Sequence, residues 1–346
     1  MATPSFGSSP LAARSFNPAR ALTAAKRFKF MENFGVDLVT VLGHTAAGKT
    51  AFAAQLASRI GGEIISADSR QVYQGMDIGT GKDYEDYLVE GDRIPAHLID
   101  IMEAGYEYNV YLFKQDFQRV YIDITDRRMM PLLCGGSGLY IESVLRNYQL
   151  IQVPVNRKLR EDLENKSYQE MERILKLYGP LHNITDTVNR KRIIRAIEIA
   201  EYQSSLPDGL LEERVLKPLV LGIKYERIIR RKRITERLTA RLNNGMVEEV
   251  EGLLQQGVSA EKMDYYGLEY RYVTRYILKE LSYDEMFMKL NTAIHQFAKR
   301  QMTYFRGMER RGVKIHWLEG QLPLEEKLEK ALALYQAARE IQGTIT

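Results

Sequence analysis

The chain has 346 residues, 45% of them hydrophobic, which is enough apolar sequence to bury a substantial core in one large domain or two modest ones. Its single cysteine, Cys134, excludes a disulfide framework and a zinc site built from two pairs of cysteines. The net charge is only +4 and no apolar run is long enough to cross a bilayer, so the composition predicts a cytoplasmic protein with no membrane partner, in which local clusters of cations attract any polyanion.

Residues 1–30 differ in composition from the rest of the chain. They are rich in Ala and Ser, and their charged residues are all basic: Arg14, Arg20, Lys26, Arg27 and Lys29. Such a composition is typical of a transit peptide, which would direct the protein to a plastid or mitochondrion. A flexible upstream extension, or a misassigned start ahead of Met31, is the alternative.

Short apolar runs alternate with helical sequence over much of the chain. The predicted strands are Asp37–Leu42, Glu63–Ala67, a segment around His97–Ile99, Met129–Cys134 and Pro218–Ile223, and the first predicted helix is Thr50–Ile60. Strands separated by helices predict an α/β fold with a parallel sheet covered on both faces.

The charged stretch from 156 to about 203 instead predicts helices, interrupted at Gly179-Pro180. Two long helices are predicted at Glu226–Gln255 and Asp284–Arg311. We therefore expect a catalytic core formed by 31–150 and 215–320, a helical insertion at 151–214, and a C-terminal helix or tail at 321–346.

A phosphate-binding loop lies between the first predicted strand and the first predicted helix. Its residues satisfy the pattern G-x-x-x-x-G-K-[ST] and are Gly43, His44, Thr45, Ala46, Ala47, Gly48, Lys49 and Thr50. In such a loop the N–H groups converge on phosphate oxygens, the lysine adds a point charge, and the Thr50 hydroxyl can bind Mg²⁺. The loop predicts a bound di- or triphosphate, either ATP or the leaving group of another donor.

Asp68 follows the second predicted strand, where side chains of a parallel sheet face the ligand crevice. A general base fits this position, and a turn or N-cap acid ahead of Ser69 is the structural alternative. An ATPase would usually carry a metal-binding aspartate after another apolar strand, but Met129–Cys134 ends in glycines. Ordinary ATP hydrolysis is therefore disfavoured.

Several motifs together resemble the tRNA dimethylallyltransferase family. They occur in that family's order over about 37–317: the phosphate loop, Asp68–Tyr73, Met76–Lys82, Gly135–Ile141, Arg192–Glu198 and Lys299–Arg306. The resemblance implies a P-loop nucleoside-triphosphate-hydrolase-like fold. It also implies transfer of a dimethylallyl group from dimethylallyl diphosphate to N6 of adenine 37, beside the anticodon of tRNA, with release of diphosphate.

The same resemblance implies roles for individual residues. Asp68 would accept the proton of the adenine amine, while Thr45, Lys49 and the rest of the loop, with Mg²⁺ on Thr50, would neutralise the leaving diphosphate. The residues implied to bind the anticodon stem-loop of tRNA are Asp68, Ser69, Arg70, Gln71, Ser137, Arg160, Lys191, Arg192, Arg195, Lys299, Arg300 and Arg306. The partners implied are thus tRNA and dimethylallyl diphosphate, with the enzyme acting as a monomer.

Basic patches support an RNA partner. Lys299, Thr303, Arg306 and Arg310 recur at spacings of three and four, so they share one face of their helix, while Leu290, Ile294 and Phe297 form a separate apolar stripe. Further patches are Arg190–Arg192 with Arg195, and Arg227–Arg241. A solvated surface is the structural alternative for each patch.

Some positions depart from the family pattern and indicate a divergent member. His44 stands where proline is common, and Glu269 stands where a cation can occur. The competing functions are a P-loop kinase of a small metabolite or nucleotide, an adenylate prenyltransferase using free AMP, ADP or ATP, and a non-enzymatic RNA-binding module. The intact loop and Asp68 disfavour the last, and the basic patches disfavour the first two.

Overall fold

A six-stranded parallel sheet forms the centre of the computed structural model, which describes residues 35–148, 150–178, 189–205 and 215–340. The strands are β1 (Leu38–Gly43), β2 (Gly62–Ala67), β3 (Leu88–Val89), β4 (Asp92–Arg93), β5 (Ala96–His97), β6 (Met130–Gly135), β7 (Pro218–Lys224) and β8 (Ile315–Glu319). Their order in the sheet is β5-β2-β6-β1-β7-β8, while β3 and β4 form a separate antiparallel ribbon.

Helices cover both faces of this sheet. The helices of the described residues are α1 (Lys49–Ile60), α2 (Val110–Asp126), α3 (Gly138–Leu145), α4 (Arg157–Glu164), α5 (Tyr168–Leu177), α6 (Arg190–Ser204), α7 (Arg227–Asn243), α8 (Met246–Gln255), α9 (Ala260–Tyr266), α10 (Leu268–Ile277), α11 (Tyr283–Arg310) and α12 (Leu324–Glu340), with a 3₁₀ turn at Tyr84–Tyr87. Within the described ranges, no helix combines the length and the apolar character needed to cross a membrane.

Burial follows from this layering. Every residue of β1, β2 and β6 is buried, because helices lie on both sides of these strands. One face packs against a cluster that includes Phe113 and Phe305, and the other packs against Phe52, Leu56 and Leu328. The predicted α/β fold class, with a parallel sheet flanked by helices, is confirmed.

The helices α4, α5 and α6 have a small core of their own. Its buried members are Leu163, Met171, Leu175, Ile193 and Ile197. This core is separate from the two clusters on the sheet. The extension expected at 1–30 and the break expected at Gly179-Pro180 lie outside the described residues.

Two predictions of element boundaries are wrong, each for a local reason. The strand expected around His97–Ile99 ends at His97, because Leu98 takes the left-handed conformation at φ 60°. The helix expected at Glu226–Gln255 is two helices, since Gly245 adopts φ 96° between α7 and α8. Strand β8 at the sheet edge was not predicted.

Candidate active site

A cleft opens at the carboxyl ends of β1, β2 and β6. The phosphate loop follows β1, Asp68 follows β2, and Gly135-Gly136 close β6. Since these strands are adjacent and parallel, their carboxyl ends lie at one edge of the sheet, and the three segments meet there.

The loop has the compact shape that phosphate binding requires. Ala46 and Gly48 both adopt left-handed backbone conformations, and α1 begins directly afterwards at Lys49. The Lys49 ammonium donates to the His44 carbonyl over 2.8 Å. Burial and the charge of Arg237 lower the pKa of Lys49 to about 8, so the lysine is still largely protonated at neutral pH and receives an anion readily.

Residues from the distant half of the chain hold this loop in place. The Gln301 side chain accepts from the Thr45 N–H over 2.8 Å and donates to the Gly136 carbonyl over 2.9 Å. Arg233 donates to the Ala46 carbonyl over 3.0 Å, and Arg237 donates to the Thr45 hydroxyl. Because Arg237 occupies a lone pair of Thr45, the hydroxyl hydrogen is left to donate to a ligand.

Two adjoining cavities occupy the cleft. The first, of about 510 Å³, is lined by the phosphate loop, and the second, of about 540 Å³, extends toward α6, α10 and α11. Residues that line both cavities mark the junction between them: Thr45, Asp68, Thr80, Arg237, Phe297 and Gln301. A group bound at the loop and a group in the second cavity would therefore meet beside Asp68.

Most of the predicted donor residues lie together. Thr45 to Thr50 all line the first cavity, whereas Gly43 and His44 do not. The His44 ring is buried behind the loop, with Nδ1 2.7 Å from the Thr45 carbonyl. Burial lowers the pKa of His44 to about 3, so the ring is neutral at pH 7 and supports the loop structurally.

The turn after β2 presents Asp68 to the junction. Its Oδ1 accepts from the Arg70 N–H over 2.8 Å, which leaves its other oxygen available to a ligand. The Ser69 N–H donates to the Ser137 hydroxyl over 3.1 Å, and the Gln71 amide donates to the Gly81 carbonyl over 2.9 Å. Asp68 is thus both a turn residue and a cavity residue, and its role as a general base stays a prediction.

The residues predicted to bind tRNA fall into four groups. Those lining the second cavity are Asp68, Ser69, Arg70, Ser137, Arg192 and Arg300. Gln71 lines the first cavity instead. Lys191, Lys299 and Arg306 are exposed on the surface.

The fourth group, Arg160 and Arg195, forms hydrogen bonds with a buried acid. Arg160 Nε and Arg195 Nη1 donate to Glu198 over 2.7 and 2.9 Å. Burial alone would raise the pKa of Glu198, but these two hydrogen bonds outweigh it and lower the pKa to about 2. Arg160 therefore also holds α4 against α6, whereas Arg195 bonds within α6 and to the Val153 carbonyl.

Sequence reasoning missed several residues of the cleft. Gln301 and Phe297 face the junction, and the patch Arg227–Arg241, expected on the RNA surface, turns Arg233 and Arg237 toward the loop. The spacing of four between these arginines was a usable signal, since it places them on one helical face. Glu269 lines the second cavity, where burial raises the pKa of its carboxyl against the opposing charges of Arg241 and Arg237.

A phosphate loop at the carboxyl edge of a parallel sheet, joined to a second cavity by an acid and an arginine, defines a P-loop-like group-transfer enzyme. Comparison with known proteins specifies the family. Residues 71–308 match the family model for IPP transferase, and residues 36–103 match the model for isopentenyl transferase.

Curated relatives and a solved structure agree with these matches. The chain is 54% identical over 300 residues to tRNA dimethylallyltransferase 1 of Porphyromonas gingivalis, covering 87% of this chain and 99% of that protein. It is 55% identical over 292 residues to tRNA dimethylallyltransferase 2 of Bacteroides fragilis, covering 84% and 95%. A tRNA isopentenylpyrophosphate transferase structure from Staphylococcus epidermidis superposes with a TM-score of 0.62 at 30% identity, covering 87% and 98%. The chain therefore belongs to the tRNA dimethylallyltransferase family and is a prenyltransferase.

Proposed function

We propose that the protein transfers a dimethylallyl group from dimethylallyl diphosphate to N6 of adenine 37 of tRNA and releases diphosphate. The observation that carries this proposal is the meeting of two cavities at Asp68. One cavity offers a cationic loop to a diphosphate, and the other offers a polar, arginine-lined space to an RNA base. Each substrate would then occupy its own cavity, and the reacting groups would meet where the two cavities join.

The first cavity supports the diphosphate of the donor. Lys49 and Arg237 bring two cations to it, and the loop adds backbone N–H groups at the N-terminus of α1. Arg237 is held by its bond to Thr45, so its guanidinium is oriented before the donor binds. These groups stabilise the negative charge that develops on the leaving diphosphate.

The chemical step requires an extruded base and a proton acceptor. An adenine removed from its stack enters the second cavity and presents N6 at the junction. As the N6–C1 bond forms, the C1–O bond of the donor breaks and its electron pair leaves with the diphosphate. Asp68 accepts the proton from N6, which restores a neutral amine.

Mg²⁺ fits the donor set of the first cavity. Thr50 lines it at the start of α1, and Asp83 and Asp86 line it as well. Among the described residues, no group of three or more His, Cys, Asp or Glu side chains could hold a metal alone. Mg²⁺ commonly takes one or two protein ligands and completes its shell with water and substrate phosphate. When bound, Mg²⁺ would neutralise diphosphate charge, with Thr50 as the protein ligand.

The residues that we propose to contact RNA line the second cavity or lie on the surface beside it. Arg70, Arg192 and Arg300 line it, while Lys299 and Arg306 extend the basic surface along α11. The exposed parts of Arg160, Lys191 and Arg195 continue this surface onto the insertion. Cations spread over two lobes would position the phosphate backbone without reading its sequence. We also propose that the enzyme acts as a monomer in the cytoplasm.

Incubation with labelled dimethylallyl diphosphate tests the function directly. The acceptors are unmodified tRNA, its anticodon stem-loop and free AMP, and labelled ATP with small alcohols tests for a kinase. We expect label on tRNA and on the stem-loop. Label on AMP with none on tRNA, or phosphate transfer from ATP, would contradict the proposal.

A further inference from the structure

Phe297 belongs to the apolar stripe of α11, yet it lies in the cleft. In α11, Leu290 and Ile294 are 0% and 5% exposed, whereas Phe297 on the same stripe is 39% exposed. Its ring lines both cavities. A large apolar side chain exposed in a polar cleft gains stability when a ligand covers it.

The junction between the cavities is otherwise polar. Of the described residues that line both cavities, Thr45, Asp68, Thr80, Arg237 and Gln301 all carry polar side chains, and Phe297 does not. Ile294, one turn earlier in α11, lines the second cavity beside it. The Arg300 guanidinium carbon lies 6.0 Å from the Phe297 ring centroid and helps to orient the ring.

The geometry of the transfer directs the prenyl chain to this point. In a displacement at C1, the attacking N6 and the departing oxygen lie roughly in line. N6 is therefore on the side of the second cavity, and the departing oxygen is on the side of the first. The remaining carbons of the donor must project sideways at the junction. An apolar chain placed there avoids the cost of covering charged groups when it packs on an apolar surface.

We propose that Phe297, with Ile294, forms the wall that binds the prenyl chain of the donor. This inference rests on the proposed function and adds the subsite that selects an allylic diphosphate over a bare diphosphate. The ring also faces the carbons on which positive charge develops as the C1–O bond breaks, and an aromatic face attracts such charge.

The test separates binding of the chain from binding of the diphosphate. For wild type, Phe297→Leu and Phe297→Ala, equilibrium affinities for dimethylallyl diphosphate and for inorganic pyrophosphate are measured without tRNA. We expect Phe297→Ala to lose about tenfold in affinity for dimethylallyl diphosphate, Phe297→Leu to lose less, and neither to change pyrophosphate affinity. Circular dichroism establishes that each variant is folded.

A matched control is available on the same helix. Met288 is 61% exposed on α11 and lies outside both cavities, so Met288→Ala should bind both ligands as wild type does. Unchanged affinity of Phe297→Ala for dimethylallyl diphosphate, or an equal loss for pyrophosphate, would overturn the inference. Because this binding assay needs no turnover, its result is independent of whether tRNA proves to be the acceptor.

Discussion

The cations of the cleft are held by hydrogen bonds within the protein, whereas those on the outer face of α11 are exposed to solvent. In the cleft, Lys49 and Arg233 are fixed by backbone carbonyl oxygens, and Arg237 is fixed by the Thr45 hydroxyl. On α11, Lys299 and Arg306 are exposed to solvent. In the function proposed above, residues of one charge would serve two ligands: fixed cations would hold one small anion, while exposed cations would attract an extended polyanion through a field that salt screens.

Replacement of Asp68 should have the largest effect, because Asp68 belongs to the point where both ligands meet. We expect Asp68→Ala to lower kcat for prenyl transfer by about 100- to 10,000-fold, the range typical of a lost general base. Binding of the anticodon stem-loop, measured by fluorescence anisotropy, should be largely unchanged. Asp92→Ala, which removes an exposed carboxylate of β4, is the control. Turnover near the wild-type level in Asp68→Ala would refute the assigned base.

Diphosphate binding at Lys49 should depend on pH. Since the pKa of Lys49 is about 8, raising the pH through this value removes its positive charge and weakens diphosphate binding. From pH 7 to pH 9 we expect about a tenfold loss of pyrophosphate affinity, measured by calorimetry.

The variant Lys49→Met serves as the reference for this measurement. It should bind pyrophosphate weakly at every pH and lack the loss near pH 8, while the titration of pyrophosphate itself affects both proteins equally. Identical pH profiles for the two proteins would show that Lys49 does not carry the charge that binds the donor.

The exposed cations should give the smallest effects, and these should depend on salt. Lys299→Ala and Arg306→Ala should each weaken stem-loop binding severalfold and reduce the slope of log affinity against log salt by about 1. The KM for dimethylallyl diphosphate should not change. Lys330→Ala, an exposed lysine of α12, is the matched control. An unaltered salt slope in both variants would remove α11 from the RNA surface.

The parts of the site that were predictable from sequence are local. The phosphate loop and Asp68 were each recognised from a strand and the few residues after it, and this recognition requires no knowledge of the rest of the fold. Gln301 and Arg237 reach Thr45 from 256 and 192 positions away, and nothing within their own helices specifies that contact. Their roles emerge only from the packing of α7 and α11 over the loop.

The elements that were predicted wrongly or missed are likewise those for which the local sequence carries little signal. The left-handed conformation of Leu98 carries no sequence signal, because leucine seldom adopts it and only its surroundings impose it. Strand β8 has five residues at the sheet edge and is partly exposed, so its pattern is weak. In contrast, β1 and β6 are buried over their whole length and appeared as continuous apolar runs.

The bond between Gln301 and Thr45 has a consequence for biosynthesis. It joins residues 256 positions apart, so the loop lacks one of its restraints until nearly all of the chain has been synthesised. A ribosome-bound fragment that stops before α11 already contains the glycine-rich turn, yet it has neither Gln301 nor Phe297. The restraint that Gln301 places on the loop is thus acquired late in translation, once α11 has been synthesised.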